Sequence, residues 1–343
     1  MQPLLVNGAP FEQHQPQDGI LADLAAFLKE WESATPTMCL QTSGSTGTPK
    51  CIEATKAAMR ASAEATCRFF GLQKGDKALL CLPLRYIAAK MMVVRALVSG
   101  LELVTTPPSS TPLATLQTTV KFAPLVPMQA HTTLQQPHGM AQLEKAAIIL
   151  LGGGFIDAAL EAALQTCSSA VYASYGMTET LSHIALRRVN GAQRTACYTP
   201  LPGIDIRLSS RGTLAISALS LGIEYLETND IAEIHPDGTF RILGRVDNVI
   251  NSGGIKIQAE SIEQAILAAT GITCVAVPLP HPVLGQSVGL VWEGDEALLP
   301  SLMQAIDTLP KYHKPRRIIH AAIPRTPTGK PDRAKTKATA LEL

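Results

Sequence analysis

The segment Thr42-Ser43-Gly44-Ser45-Thr46-Gly47-Thr48-Pro49-Lys50 packs hydroxyls and glycines together and ends on a lysine. Glycine lets backbone N–H groups approach a phosphate closely, hydroxyls donate further hydrogen bonds, and lysine adds a point charge. Such a run suits a polyphosphate. It is not a Walker A loop, because Pro49 and Lys50 stand where that motif needs Gly-Lys. Taken alone, a flexible Ser/Gly/Thr loop would read the same way.

Four other segments carry chemistry. Tyr175-Gly176-Met177-Thr178-Glu179-Thr180 offers an aromatic face for a base, a bendable glycine, hydroxyls, and a carboxylate able to hold Mg2+ beside phosphate oxygens. By itself it also reads as the start of an ordinary helix. Gly152-Gly153-Gly154 follows an apolar run but fails the dinucleotide fingerprint, since Asp157 stands where a small residue is needed. A glycine turn there still lets a flat adenine lie on the backbone. Asp230, in Thr228-Asn229-Asp230, can accept bonds from ribose hydroxyls, or be a turn residue. Near the end, Pro324-Arg325-Thr326-Pro327-Thr328-Gly329-Lys330 places a lysine after a loop stiffened by two prolines. Lys330 alone is also a solvated tail lysine.

These segments need elements to hold them. Residues 77–82, 101–105, 146–151 and 170–173 read as buried strands, with helices expected over 87–98 and 156–165. That alternation predicts an α/β domain with ligand groups where strands end. Residues 38–41 read as a short strand leading into the hydroxyl-rich loop. From 203 to 250 the pattern changes to short alternating runs, a β-rich subdomain whose stretch 235–240 (HPDGTF) carries an Asp-Gly turn. Beyond it, helices are expected over 262–269 and 298–309 and a strand over 274–278. Residues 244–254 (GRVDNVINSGG) join the two regions, a polar, glycine-containing stretch suited to a hinge or to an ordinary linker. We place the boundary at Asp247, giving domains 1–246 and 247–343.

Composition narrows the function classes. Hydrophobic residues make up 46% and charged residues 17%, enough to bury a large core, and 29 basic against 28 acidic residues give no field suited to nucleic acid. No apolar run reaches the length of a membrane span, and residues 1–16 lack the pattern of a secretory signal. The seven cysteines are scattered, odd in number and form no C-x-x-C, so buried reduced thiols and a cytoplasmic location are expected.

The order of these segments resembles the superfamily of acyl-CoA synthetases, peptide-synthetase adenylation domains and firefly luciferase, from Thr42 to Lys330. The resemblance implies a large N-terminal α/β domain with a β-rich subdomain and a small, mobile, C-terminal α+β domain. By resemblance, Thr42, Ser43, Gly44, Ser45, Thr46, Gly47 and Lys50 belong to the phosphate loop. Gly152, Gly153, Gly154, Phe155, Tyr175 and Gly176 look like adenine-binding segments, Thr178 and Glu179 like phosphate and Mg2+ contacts. Asp230 and Arg245 look like the ribose pair, Asp247 like the hinge, and Lys330 like the catalytic lysine. ATP, Mg2+ and CoA are implied, with a small-molecule carboxylic acid as substrate and a homo-oligomer left open. Basic residues Lys311, Lys314, Arg316 and Arg317 are placed either on CoA phosphates or on a solvated face.

The chain departs from the family in three places. The loop begins at Thr42, so the usual N-terminal region is shortened. Tyr86 stands where histidine is common, and Asn229 replaces the usual glycine before Asp230. The short length and the run 175–186 (YGMTETLSHIAL) look most like the o-succinylbenzoate–CoA ligases of menaquinone biosynthesis. Their substrate carries a second carboxylate, for which Arg85, Lys90, Ser182 and His183 are candidates, with Tyr86 a further candidate substrate residue. Other acyl- or aryl-CoA ligases, a carrier-loading adenylating enzyme and a non-catalytic nucleotide-binding relative are the alternatives; Lys330 and Glu179 argue against the last.

Overall fold

The structure, a computed structural model, describes residues 3–14, 19–41, 51–326 and 330–343. The expected phosphate loop, Thr42–Lys50, lies outside the described residues, as do 327–329. Contacts divide the chain into two compact units. One comprises Met1–Ile156, Ala163–Ile206 and Ile216–Leu226; the other comprises Asp157–Ala162, Arg207–Ala215 and Glu227–Leu343.

The first unit is built on a nine-stranded sheet. At its centre Ala170–Gly176, Ala146–Leu151, Val120–Leu125, Lys77–Leu80 and Glu102–Thr105 lie side by side, all parallel. Their apolar side chains are buried (Ala78, Leu79, Leu80, Phe122, Ile149, Val171), as strands covered on both faces require. Antiparallel strands His183–Arg188 then Thr199–Pro200 extend one edge; on the other, Leu5–Val6 joins parallel to Glu102–Thr105 and Ala9–Pro10 folds back antiparallel to it. Helices Lys56–Phe70 and Ile87–Ser99 pack on each other and end on left-handed glycines, Gly71 and Gly100. The expected α/β alternation is therefore present, with shifted ends. The helix expected over 156–165 is shorter, Ala158–Ala163 with a 3-10 turn after it.

A hairpin, Thr37–Gln41 with Cys51–Thr55, flanks the undescribed loop. Its register brings Cys39 and Cys51 together as a disulfide, with their Cα atoms 5.5 Å apart. This corrects the expectation of reduced, buried thiols at these two positions, both of which are exposed. Spacing in the chain could not reveal the pairing, because strand register creates it. The cysteine argument for the cytoplasm falls with it. Cys67, Cys81, Cys167 and Cys274 are free and buried, Cys197 free and half-buried. Among the described residues no helix is long and apolar enough to cross a membrane.

The second unit includes Phe240–Arg245, the antiparallel partner of Ile223–Ile234 in a four-stranded sheet. The Asp-Gly turn between them forms as expected: Gly238 takes φ +80°, and the Thr239 N–H and hydroxyl both donate to Asp237 Oδ1. Beyond lies a five-stranded sheet in which Gly285–Trp292 pairs antiparallel with Cys274–His281 and parallel with Arg317–His320. Alternation along Cys274–His281 sends Cys274 and Ala276 to one apolar cluster and Val275, Val277 and Leu279 to another. Helices Ala259–Thr270 and Leu299–Thr308 bury Ile262, Ile266, Leu302 and Ile306 in the first; Ala340 of helix Arg333–Glu342 enters the second.

Candidate functional site

In the first unit the two expected adenine segments meet at the carboxyl ends of neighbouring strands, the usual ligand edge of a parallel sheet. Leu151, which precedes Gly152-Gly153-Gly154, pairs with Ala173, two residues before Tyr175. The Ser174 hydroxyl donates to the Leu151 carbonyl at 3.1 Å, and a Cβ on Gly152 would meet that hydroxyl at 2.7 Å. Phe155, 63% exposed, follows the glycines. Tyr175 is half-buried, its ring centroid 5.9 Å from that of Tyr198, over which the Arg187 guanidinium sits.

The strand continues to Gly176, so Tyr175 and Gly176 are extended and no helix begins there. The Thr180 hydroxyl closes the turn that follows. It accepts from the Met177 N–H at 3.0 Å and lies 2.8 Å from the Ser182 carbonyl, to which it donates. Thr178 is half-buried and Glu179 exposed on this turn. The Glu179 carboxylate makes no hydrogen bond or ion pair among the described residues. One exposed carboxylate suits Mg2+, which keeps several waters and takes phosphate oxygens.

Beside this turn lies a polar cluster with a member that sequence reading missed. Arg95, on helix Ile87–Ser99, is 2% exposed, and its Nη2 donates to Ser182 Oγ at 2.6 Å. Ser182 Oγ stands 3.3 Å from His183 Nδ1, and His183 Nε2 is 3.2 Å from Thr66 Oγ1, which donates to the Ser62 carbonyl. With Thr66 donating to Ser62, His183 must donate from Nε2 and accept at Nδ1 from Ser182. Every donor then points the same way, away from Arg95. Burial, then the Arg95 charge, pushes the His183 pKa well below the histidine value, so the ring is neutral at neutral pH. Burial likewise lowers Arg95, to about 10, and leaves it a cation. No described carboxylate pairs with it, and its Nε has no hydrogen-bond partner.

Of the candidates for a second carboxylate, Ser182 and His183 lie in this cluster with Arg95. Arg85 and Lys90 make other contacts: Arg85 lies over the ring of its neighbour Tyr86, and Lys90 Nζ is 6.0 Å from the Phe27 ring centroid. Arg95 had a signal in the sequence, a lone charge inside the apolar run 91–98.

The second unit holds the other expected residues. Strand register sets Asp230 opposite Arg245, whose Nη1 donates to Asp230 Oδ1 at 2.9 Å. Asp230 is 7% exposed, and its backbone N–H is held by the Thr228 hydroxyl. Arg245 Nη2 reaches Asp247 Oδ2 at 3.1 Å. The Lys330 carbonyl accepts from the Thr326 N–H at 2.7 Å, and Arg325 forms a bridge with Pro331. An Arg325–Glu293 ion pair holds Arg325. Lys330 is exposed, yet desolvation and then the Arg245 charge draw its pKa below the lysine value, with Asp230 opposing. The lysine, the carboxylate and the guanidinium therefore lie within electrostatic reach of one another.

Residues 4–216 match the family model described as AMP-binding enzyme. An acyl-CoA synthetase (AMP-forming)/AMP-acid ligase II-like protein of Dyadobacter fermentans is 37% identical, with a TM-score of 0.66 and 96% of each chain covered. The 2-succinylbenzoate–CoA ligase of Escherichia coli is 27% identical over 308 residues, which is 85% of this chain and 66% of the relative. A long-chain-fatty-acid–CoA ligase, FadD13 of Mycobacterium tuberculosis, is 28% identical over 328 residues, 85% of this chain and 65% of the relative. The chain thus spans just under two thirds of the length of those two relatives.

Proposed function

The chain belongs to the AMP-binding enzyme family, and from that membership we propose that it activates a carboxylic acid as its acyl-AMP and passes the acyl group to CoA. A carboxylate oxygen attacks the α-phosphate of ATP and pyrophosphate leaves. Charge builds on the α-phosphoryl oxygens, and a cation placed there lowers the barrier. Lys330 is that cation. The observation that carries this reading is the placement of Lys330 in one compact unit with the Asp230–Arg245 ion pair, 2.9 Å across. Asp230 accepts from the ribose hydroxyls, Arg245 fixes that carboxylate, and Lys330 reaches the phosphate beside them. Tyr175 and Gly152–Gly154 take the adenine, and the phosphate loop 42–50 takes the polyphosphate. Glu179, with Thr178 nearby, would hold Mg2+, which would supply further positive charge at the phosphate oxygens. Asp247 is the pivot between 1–246 and 247–343, about which the C-terminal module turns so that a thiol can attack the acyl carbonyl.

The acid we propose is o-succinylbenzoate. Two things support it: the 27%-identical relative that bears this activity in its name, and Arg95. A buried cation without a described carboxylate partner suits an acid with a second carboxylate, Ser182 completing the contact. A long-chain fatty acid, the substrate class named for the FadD13 relative, gives that charge nothing to meet.

Pyrophosphate release with ATP, Mg2+ and a panel of acids, with and without CoA, tests the reading. Release driven by o-succinylbenzoate, with a thioester formed only when CoA is added, is the expected result. Release with a fatty acid alone would discard the acid and keep the reaction. No release with any acid would remove the catalytic reading.

A further inference from the structure

We infer that Asn229 is a latch on the pivot, holding Asp247 in the arrangement used for adenylation; this rests on the reading of Asp247 as the hinge. The sequence departs here from the family it resembles, which usually has glycine before the ribose-binding aspartate. A glycine would have no side chain to offer. Asn229 Nδ2 instead lies 3.3 Å from Asp247 Oδ1 and 3.2 Å from Oδ2, donating to both oxygens of the carboxylate.

The amide is oriented from its other end. Arg211 Nη2 approaches Asn229 Oδ1 at 3.4 Å while Arg211 Nε is tied to Glu227 Oε1 at 2.6 Å. Glu227 also accepts from the Thr213 hydroxyl at 3.1 Å. Turning the amide over would set its oxygen against the Asp247 carboxylate and its NH2 against a guanidinium, so the donor end is fixed toward Asp247. Arg245 completes the grip, donating from one nitrogen to Asp230 and from the other to Asp247.

The next residue is held from the opposite side. Asn248 donates through Nδ2 to Glu260 Oε1 on helix Ala259–Thr270, and Arg333 carries the connection to Glu263 with bonds of 2.6 and 2.8 Å. Asp247 and Asn248 share one 3-10 turn, Val246–Asn248. Asp247 is therefore tied to the strands before the pivot and Asn248 to the helix after it. A rotation taken up at φ of Asp247 swings its carboxylate away from Asn229, whereas one taken up at ψ alone would leave the pair in place and the Asn229 variants silent. Asp230, Arg245 and Lys330 fall in one compact unit here, and on the reading of Lys330 as the adenylating cation the latch stabilises that arrangement over the thioester-forming one.

The Asp247 side chain is 54% exposed, so the latch is a bias rather than a lock, worth up to about fivefold in the balance of the two arrangements. The measurement is the ratio of two single-turnover rates: acyl-AMP formation from ATP and acid, and thioester formation from supplied acyl-AMP and CoA. Asn229→Gly and Asn229→Ala should slow the first by about two- to fivefold while the second holds or rises. Asn229→Asp, which sets like charges together, should move the ratio further the same way. Unchanged rates in all three, or equal losses in both halves with a lowered melting temperature, would overturn the latch. Asp247→Pro separates the two failures. If it harms thioester formation selectively while the Asn229 variants are silent, only the latch is wrong. If Asp247→Pro leaves both halves intact, the hinge reading fails and the latch with it.

Discussion

A buried guanidinium with no carboxylate is costly unless a ligand meets its charge. Among the described residues Arg95 is in that position, held by Ser182 alone on one nitrogen and unpartnered at Nε. Arg95→Met keeps much of the volume and removes the charge. We expect the ligand-free variant to melt no lower than the parent, and kcat/KM for o-succinylbenzoate to drop by about ten- to a hundredfold, as for a lost charged hydrogen bond. A monocarboxylic acid of similar shape should lose far less. The same variant changes the acid limb of stability. His183 has a depressed pKa, so the unfolded chain takes up a proton below about pH 6.5 while the folded chain does not. That uptake destabilises the fold as pH falls through this range. Desolvation is the main cause and Arg95 the second, so Arg95→Met should lessen the acid-side loss measured by chemical denaturation. A parent-like acid limb together with unchanged selection among acids would remove Arg95 from the acid subsite. The sequence signal for Arg95 was a charge within an apolar helical run; Arg85 and Lys90 are the cations the sequence offers first, but contact made in the fold decides which cation meets Ser182.

The elements explain why some of the site was legible and some was not. Each central strand is a buried apolar run ended by turn residues, so residues 146–151 could be read to the residue. Ala170–Gly176 outran its expected end at Ala173 because pairing with His183–Arg188 continues to Gly176, and pairing partners are invisible in one sequence. For the same reason the hairpin register that joins Cys39 to Cys51 could not be foreseen. Gly176 shows what the register demands. A Cβ there would lie 2.3 Å from the Ser182 carbonyl oxygen and 2.6 Å from the His183 Cα, both backbone atoms with no freedom to move aside. The sequence suggested a bendable glycine, whereas the structure needs an absent side chain. Gly176→Ala should push the turn carrying Thr178 and Glu179 off the strand. We expect a stability loss of about 1–3 kcal/mol and a fall in kcat/KM for ATP of about ten- to a hundredfold, since small displacements of reacting groups are costly. Thermal melts and pyrophosphate-release kinetics check both, and a folded variant with parent-like ATP kinetics would show that the turn is not a nucleotide contact.

At the scale of the molecule, the proposed cycle asks one chain to run two reactions with one lysine and one pivot. Lys330 and Asp247 are separated by 83 positions and serve different halves in the proposed cycle. Removing a charge that stabilises developing negative charge costs about a hundred- to a thousandfold, so Lys330→Ala should cripple acyl-AMP formation while thioester formation from supplied acyl-AMP survives. Asp247→Pro restricts the pivot and should show the opposite pattern. The alkaline side adds an independent check. Only the protonated lysine assists, and its pKa is drawn below the ordinary value by desolvation and Arg245. Adenylation should therefore decline as pH rises through a point below the usual lysine range of about 10.4, while thioester formation from acyl-AMP should not share that limb. Lys330→Arg keeps its charge throughout and should lose the limb, at a lower rate, because a guanidinium does not reproduce an ammonium's point contact. If Lys330→Ala and Asp247→Pro instead damage the same half equally, and the alkaline limb persists in Lys330→Arg, then the lysine and the pivot do not divide the cycle and the two-arrangement reading is wrong.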